Sequence, residues 1–120
     1  MSEGVRLGAF GWGMHEVRDS RGESKRRAFV VVMENDGRFA VVFGRSDPPP
    51  GHRTVKVAPD GDVGRRMGLR NITHFTADVH LLPSDYEIRG YFAVQLGDER
   101  LPDAAAEYDL WLAIRGLAAA

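Results

Sequence analysis

Two short runs of consecutive apolar residues predict the centre of a β-sheet. Residues 28–33 (Ala-Phe-Val-Val-Val-Met) are rich in β-branched and aromatic side chains, which is typical of a strand covered on both faces. Residues 39–43 repeat the pattern after Asn35-Asp36-Gly37, whose Asp-Gly pair is favoured in tight hairpin turns. We therefore expect these two strands to pair antiparallel.

Strict alternation of apolar and polar residues predicts another strand over residues 72–82. Its odd positions are apolar and most of its even positions are polar: Phe75, Ala77, Val79 and Leu81 against His74, Thr76, Asp78 and His80. Side chains of a strand point alternately to its two faces. The apolar side chains are therefore expected to share one face of the strand, and the polar ones the other.

Less regular stretches complete the predicted elements. Residues 5–17, 53–57 and 90–96 predict three further strands, and residues 84–87 have the capping-box spacing of one helical turn. Residues 63–71 show no period that assigns them to an element. Five or six short strands with tight turns predict a mainly β fold, a small and strongly curved antiparallel sheet or barrel.

The period changes to that of a helix at the C-terminal end. Pro102 suits a first helical turn, and an apolar stripe follows the helical spacing: Leu101, Ala104, Ala105, Tyr108, Trp111 and Leu112. Leu110, Ile114 and Leu117 widen the stripe beyond one packing face. Two interpretations stay open: the helix packs against a second subunit, or its Ala-rich end lies on its own barrel.

Composition indicates a soluble cytoplasmic protein of one domain, residues 1–120. A chain of 120 residues lies within the typical domain size. Its longest apolar runs reach about six residues against the ~20 needed to span a bilayer, and no signal peptide is visible at Met1. There is no cysteine, which fits a reducing compartment. No histidine spacing suggests a metal site, and we expect no cofactor.

Charge is neutral in sum but uneven along the chain. The net charge is −1, so no overall field draws the protein to a polyanion. Five cations nevertheless fall within ten residues, and a second group follows later: Arg18, Arg21, Lys25, Arg26 and Arg27, then Arg65, Arg66 and Arg70. Lys25-Arg26-Arg27 runs straight into the buried strand at residue 28, which would hold cations at the rim of a rigid core.

The order of these elements resembles the MazF/PemK (Kid-like) family of type II toxin–antitoxin toxins. A glycine-rich opening strand (Gly-Ala-Phe-Gly-Trp, residues 8–12) matches the family's first strand. Gly22-Glu23 and then Arg-Arg-Ala-Phe-Val (residues 26–30) match its loop and Arg-Pro-[Ala/Val]-Leu-Val strand in part. Residues 39–46 occupy the place of the strand that ends in Thr-Ser. Gly68-Leu69, Gly90 and the terminal helix follow as in the family.

The resemblance implies an SH3-like, PemK-like barrel and a metal-independent endoribonuclease that cuts single-stranded RNA. The 2′-OH of the RNA attacks the adjacent phosphate, a reaction that needs a cation on the non-bridging oxygens, a base and an acid. By position, Arg26 is expected to clamp the phosphate, Ser46 to hydrogen-bond it, and His74 to serve in acid–base catalysis. RNA contacts are expected from Lys25, Arg27, Glu23, His52 and His80. A homodimer held inactive by a cognate antitoxin protein is also implied.

Two alternatives stay open beside the ribonuclease. The family's Arg-Pro is Arg26-Arg27 here, and its Thr-Ser is Arg45-Ser46. These departures favour a binding module of the same SH3-like class whose active site has decayed. The other alternative is a gyrase-poisoning toxin on the related barrel, for which the arginine loop would be irrelevant.

Overall fold

The computed structural model describes residues 5–16, 24–48, 50–92 and 104–119. In chain order the elements are β1 (Ala9–Glu16), β2 (Ser24–Asn35), β3 (Arg38–Arg45), β4 (Val55–Val57), α1 (Asp62–Met67), β5 (Thr73–Leu81), β6 (Tyr86–Tyr91) and α2 (Ala104–Ala119). The strands form one antiparallel sheet in the order β4-β5-β3-β2-β1-β6, curled into a half-barrel. The predicted fold class, mainly β with a C-terminal helix, is confirmed.

The predicted hairpin is the centre of this sheet. β2 and β3 pair antiparallel across the turn at Asp36-Gly37, where both residues have positive φ angles of 51° and 77°. Such a turn suits the twist of the strands that it joins. An extra residue, Val32, lies in β2 between the pairs Val31–Val41 and Met33–Ala40. This bulge shifts the register of the whole hairpin beyond it by one residue.

Each face of the sheet buries its own apolar cluster. On the helix-covered face, Val30, Val42 and Phe75 pack with Met67 of α1 and Trp111 of α2, all of them fully buried or nearly so. On the opposite face, the cluster contains Ala9, Phe29, Val31, Val41 and Phe43. Because both faces are covered in the middle of β2, its apolar run is continuous rather than alternating.

Helix α1 was not predicted, since residues 63–71 show no apolar period. It is only six residues long, and Val63 and Met67 are its buried side chains. A Cβ on its Gly64 would lie 2.0 Å from the carbonyl oxygen of Ala58, so the helix approaches the chain before it closely. It ends at Gly68, whose φ of 77° is the left-handed conformation of a helix C-cap. Packing rather than helix propensity stabilises so short a helix.

The apolar positions of β5 are not buried evenly. Phe75 is fully buried, but Ala77, Val79 and Leu81 are exposed, Leu81 at 72%. The pairing with β3 is irregular between Val42–Val79 and Gly44–Phe75, so that three residues of β5 lie between these two pairs against one of β3. Beyond this irregularity, the side chains of β5 lie outside the core. The odd-position pattern could not show a break of register, because the break depends on the partner strand.

Other boundaries differ from the prediction for similar reasons. The strand expected at 53–57 is only Val55–Val57, and the helical turn expected at 84–87 is wrong. Pairing with β1, in which Tyr86 lies opposite Gly13, makes that segment extended from Tyr86. The strand expected at 90–96 is Tyr86–Tyr91, and residues 93–96 lie outside the described part, as do Leu101 and Pro102. In α2, Trp111 and Ile114 are buried, whereas Tyr108 and Leu112 are exposed.

We expect Gly11→Ala to destabilise the protein because of its place between β1 and β6. A Cβ there would lie 1.9 Å from the carbonyl oxygen of Glu87, a backbone atom that cannot move without breaking strand pairing. Overpacking of this kind costs about 1–3 kcal/mol. Urea unfolding of the variant measures this loss.

Gly116→Ala is the matched control. No atom lies within 4 Å of its Cβ position, and it lies inside α2, where Ala is favoured over Gly by ~0.5–1 kcal/mol. This variant is expected to unfold at equal or higher urea concentration than the parent. Equal stability of Gly11→Ala and the parent would contradict the close approach of β1 and β6.

Candidate active site

Strand alternation divides the run of cations between the two faces of the sheet. Arg26 lies opposite Met14 of β1, and Arg27 lies opposite Gly13. Arg26 therefore shares the helix-covered face with Ala28 and Val30, whereas Arg27 shares the opposite face with Phe29. Two neighbouring cations that look like one patch in the sequence thus begin two different surfaces.

On the opposite face, Arg27 belongs to a group of four polar side chains, which we call the histidine–arginine cluster: His15, Arg27, Arg45 and His80. The ring of His15 stacks on Phe43 with centroids 4.3 Å apart and planes at 6°. The ring of His80 meets His15 edge to face at 4.6 Å. Continuing the Phe29–Phe43 register by two residues places Arg27 opposite Arg45.

The electrostatics of this cluster favour a neutral His15. The pKa of His15 is lowered to about 4, mainly by burial and to a smaller extent by His80, Arg27 and Arg45, while Asp78 acts in the opposite direction. Burial also lowers the pKa of Arg27, and the neighbouring Arg45 adds to that effect. Arginine still keeps its charge near neutrality. At pH 7 the cluster therefore combines an uncharged imidazole with two guanidinium groups.

Three nitrogen atoms of the cluster are buried without a hydrogen-bond partner among the described residues: His15 Nδ1, Arg27 Nε and Arg45 Nε. Buried polar groups are nearly always paired, because an unpaired one costs about 1–3 kcal/mol. Two arginine donors that lie close to each other favour an oxyanion such as phosphate. Perturbed pKa values and unsatisfied donors are both features that concentrate at functional sites.

A second feature, which we call the basic cleft, lies at the same end of the sheet. It has a volume of about 700 Å³, and its lining includes Trp12, Arg26, Ser46, Arg70, Asn71 and Arg89. Glu87 pairs with two of these arginines, at 3.2 Å from Arg26 and 3.1 Å from Arg89. All three side chains are about half exposed, so each pair contributes roughly 0–1 kcal/mol.

Side chains packed against a glycine shape the floor of this cleft. A Cβ on Gly44 would lie 2.3 Å from the Cγ2 atom of Thr73, so the Thr73 side chain occupies the space that a larger residue in β3 would need. The Trp12 indole forms part of the wall and donates a 2.5 Å hydrogen bond to the carbonyl oxygen of Met67. The cleft therefore has well-packed walls and half-exposed arginine side chains at its rim.

The residues proposed from the sequence are distributed over both features. Lys25, Arg26 and Ser46 line the basic cleft together with Arg27, and His80 joins Arg27 in the histidine–arginine cluster. His74 lies opposite Arg45, with its Nδ1 atom 3.1 Å from the Thr54 hydroxyl. His52 is exposed in the loop before β4. Glu23 lies outside the described residues.

Sequence reasoning missed His15, Arg45, Arg70 and Arg89. The sequence does carry a signal for Arg45. Counting paired residues outward from the hairpin turn brings the end of β3, where Arg45 lies, close to Arg27. Strand alternation could have pointed to His15, because it is an odd-numbered residue of β1 and lies on the same face as Gly11 and Gly13. Arg70 had been noted only as part of a charge group. Arg89 reaches the cleft through its strand's pairing with β1, which no local pattern reveals.

Within residues 5–16, 24–48, 50–92 and 104–119, no group of three or more His, Asp or Glu side chains is placed to hold a metal ion. No helix in those ranges is long and apolar enough to cross a membrane.

Comparisons with protein-family models, curated proteins and solved structures found no match.

The lowered pKa of His15 makes stability depend on pH. Between pH 6.5 and about 4, the unfolded chain holds a proton on His15 that the folded protein does not. The free energy of unfolding is therefore expected to fall as the pH is lowered through this range, and to be retained above it. An NMR titration of the His15 ring protons gives its pKa directly.

Two variants test whether neighbouring charges shift the pKa of His15, and they are expected to move it in opposite directions. Arg45→Gln removes a neighbouring positive charge and is expected to raise the pKa of His15, whereas Asp78→Asn removes a negative one and is expected to lower it. Arg38→Gln, an exposed residue beside the hairpin turn, serves as the control and leaves the pKa unchanged. A His15 pKa near 6.5 in the parent would contradict the buried cluster.

Proposed function

We propose that this protein is a metal-independent endoribonuclease that cuts single-stranded RNA, with the histidine–arginine cluster as its catalytic centre. The observation that carries the proposal is the pair of imidazole rings 4.6 Å apart beside two arginines with unpaired buried donors. Cleavage by the RNA's own 2′-OH needs a base, an acid and a cation on the phosphate. This cluster offers side chains suited to all three roles.

In the proposed reaction, neutral His15 accepts the proton of the 2′-OH. The 2′-oxygen attacks the adjacent phosphorus, and the bond from phosphorus to the 5′-oxygen breaks. His80 serves as the acid and donates a proton to that leaving oxygen, so the products are a 2′,3′-cyclic phosphate and a 5′-OH. Arg27 and Arg45 donate hydrogen bonds to the non-bridging oxygens, where negative charge increases in the transition state.

The assignment of the chemistry differs from that implied by the family resemblance. His74 lies within hydrogen-bond distance of Thr54, and Arg26 is paired with Glu87 on the other face of the sheet. Ser46 lies in the basic cleft with Arg26. The proposal therefore gives catalysis to His15, His80, Arg27 and Arg45, and gives the cleft residues a role in binding.

Removal of either imidazole is expected to reduce cleavage strongly. General acid–base catalysis contributes about 10²–10⁴-fold, so His15→Ala and His80→Ala should each lose activity in this range. The assay incubates purified protein with long RNA and EDTA and maps the ends by primer extension. Arg38→Ala controls for handling, and circular dichroism confirms that each variant is folded.

The other outcomes of this assay separate the alternatives. Intact RNA at high concentration of folded parent protein would overturn the ribonuclease proposal. RNA that is bound without being cut would indicate the decayed binding module. Growth arrest on expression without RNA cleavage would indicate the gyrase-poisoning toxin.

We further propose that this protein is a cytoplasmic toxin, which acts as a homodimer and is held inactive by an antitoxin protein. Three exposed apolar side chains support a contact with another protein surface. Met33 and Leu81 lie opposite Ala40 on either side of β3, and Val79 is two residues from Leu81. An apolar group on three neighbouring strands is typical of a protein–protein contact.

If this surface forms the dimer, Leu81→Lys is expected to shift the protein from dimer to monomer, because it places a charge in an apolar contact. Sedimentation velocity over a range of concentrations measures the shift. Lys at an exposed position should leave the fold intact. A parent protein that is monomeric at every concentration would contradict the homodimer.

A further inference from the structure

We propose that the basic cleft binds the nucleotides that flank the cut, so that the protein holds an extended RNA strand rather than a single phosphodiester. This inference rests on the proposed function and assigns a second subsite to it. Arg27 and Arg45 line the cleft and also belong to the histidine–arginine cluster. The two features are therefore contiguous at this end of the sheet, and one strand can reach both.

The charge of the cleft favours a polyanion. Its lining contains six cations, Lys25, Arg26, Arg27, Arg45, Arg70 and Arg89, against one acidic residue, Asp47. Glu87, which pairs with Arg26 and Arg89, is a single carboxylate shared by two guanidinium groups. Because these pairs are about half exposed, phosphate oxygens can replace the carboxylate at little cost. Phosphates also match the planar donor fork of arginine.

The size and the uncharged groups of the cleft fit nucleotides better than a single ion. A volume of about 700 Å³ lies in the ~300–1,000 Å³ range of sites for whole small molecules. Ser46 and Asn71 add uncharged hydrogen-bonding groups to the lining. Trp12 adds an aromatic ring whose position is set by its bond to Met67. Cationic grooves with aromatic side chains are the usual means of binding single strands.

Binding is tested with a 2′-O-methyl RNA 12-mer, which lacks the attacking hydroxyl and cannot be cut. Fluorescence anisotropy at several KCl concentrations gives its affinity and salt dependence. Arg70→Ala and Arg89→Ala are each expected to weaken binding and to reduce the slope of log K against log[KCl] by about 0.7, since each phosphate contact releases counterions. Arg38→Ala is the matched control and should keep the parent slope.

Cleavage of substrates of two lengths tests the same subsite independently. On a dinucleotide, which is too short to reach beyond the cluster, Arg70→Ala and Arg89→Ala should lose less kcat/KM than on a 12-mer RNA, while Arg38→Ala should keep the parent kcat/KM on both. For a 12-mer RNA, both variants should lose kcat/KM about as much as they lose affinity. His15→Ala should lose activity on both substrates.

The outcomes distinguish failure of the subsite from failure of the proposed function. Parent-like slopes and parent-like 12-mer cleavage in both variants would overturn the subsite while the catalytic assignment stands. Reduced slopes with no cleavage by the parent would support the cleft and overturn the ribonuclease. Poly-glutamate that binds as tightly as the 12-mer, with the same losses in both variants, would overturn nucleotide binding in favour of an acidic protein partner.

Discussion

The pairing of β2 with strands on both sides is the constraint on which the rest of the structure depends. β1 and β3 are its hydrogen-bonded neighbours, so every residue of β2 has a fixed face and fixed partners across the sheet. Val30 is buried beneath the helices, and Phe29 is buried on the opposite face. A shift of one residue would exchange these two environments, which is why the buried part of the strand specifies its register strongly.

The same alternation continues past the core, and there it divides neighbouring charges between two surfaces. Arg26 follows the face of Val30 and reaches the basic cleft, whereas Arg27 follows the face of Phe29 and reaches His15 and Arg45. Because strand geometry persists beyond the apolar residues, a rigid core positions both arginines. The two surfaces meet at this end of the sheet, since Arg27 and Arg45 belong to both.

The histidine–arginine cluster is unfavourable for stability, and that cost is consistent with a functional role. Two like charges lie close together, a half-buried imidazole lies beside them, and three nitrogen atoms lack partners among the described residues. Each of these features opposes folding unless an anion binds. The apolar pairs around them, such as the stacked rings of His15 and Phe43, hold the group in place.

The sequence by itself determined the local features: the two central strands, the Asp-Gly turn, the terminal helix and the cations at the start of β2. Apolar runs, turn residues and helical spacing are properties of neighbouring residues, so they can be recognised without the fold. The hairpin also gives a first indication of the residue that lies opposite Arg27. Counting outward from the turn pair Asn35–Arg38 without a bulge places Arg27 opposite Ser46, the hydroxyl chosen from the sequence.

Only the tertiary structure decided which residues meet. The bulge at Val32 shifts the register by one residue, so Arg27 continues opposite Arg45 instead of Ser46. A similar irregularity in β5 exposes Val79 and Leu81, and packing alone makes α1 a helix. His15 and His80 lie 65 residues apart in the chain, yet their rings meet edge to face, and both contact Phe43. Bulges and long-range contacts depend on the partner strands, and that is why local patterns could not show them.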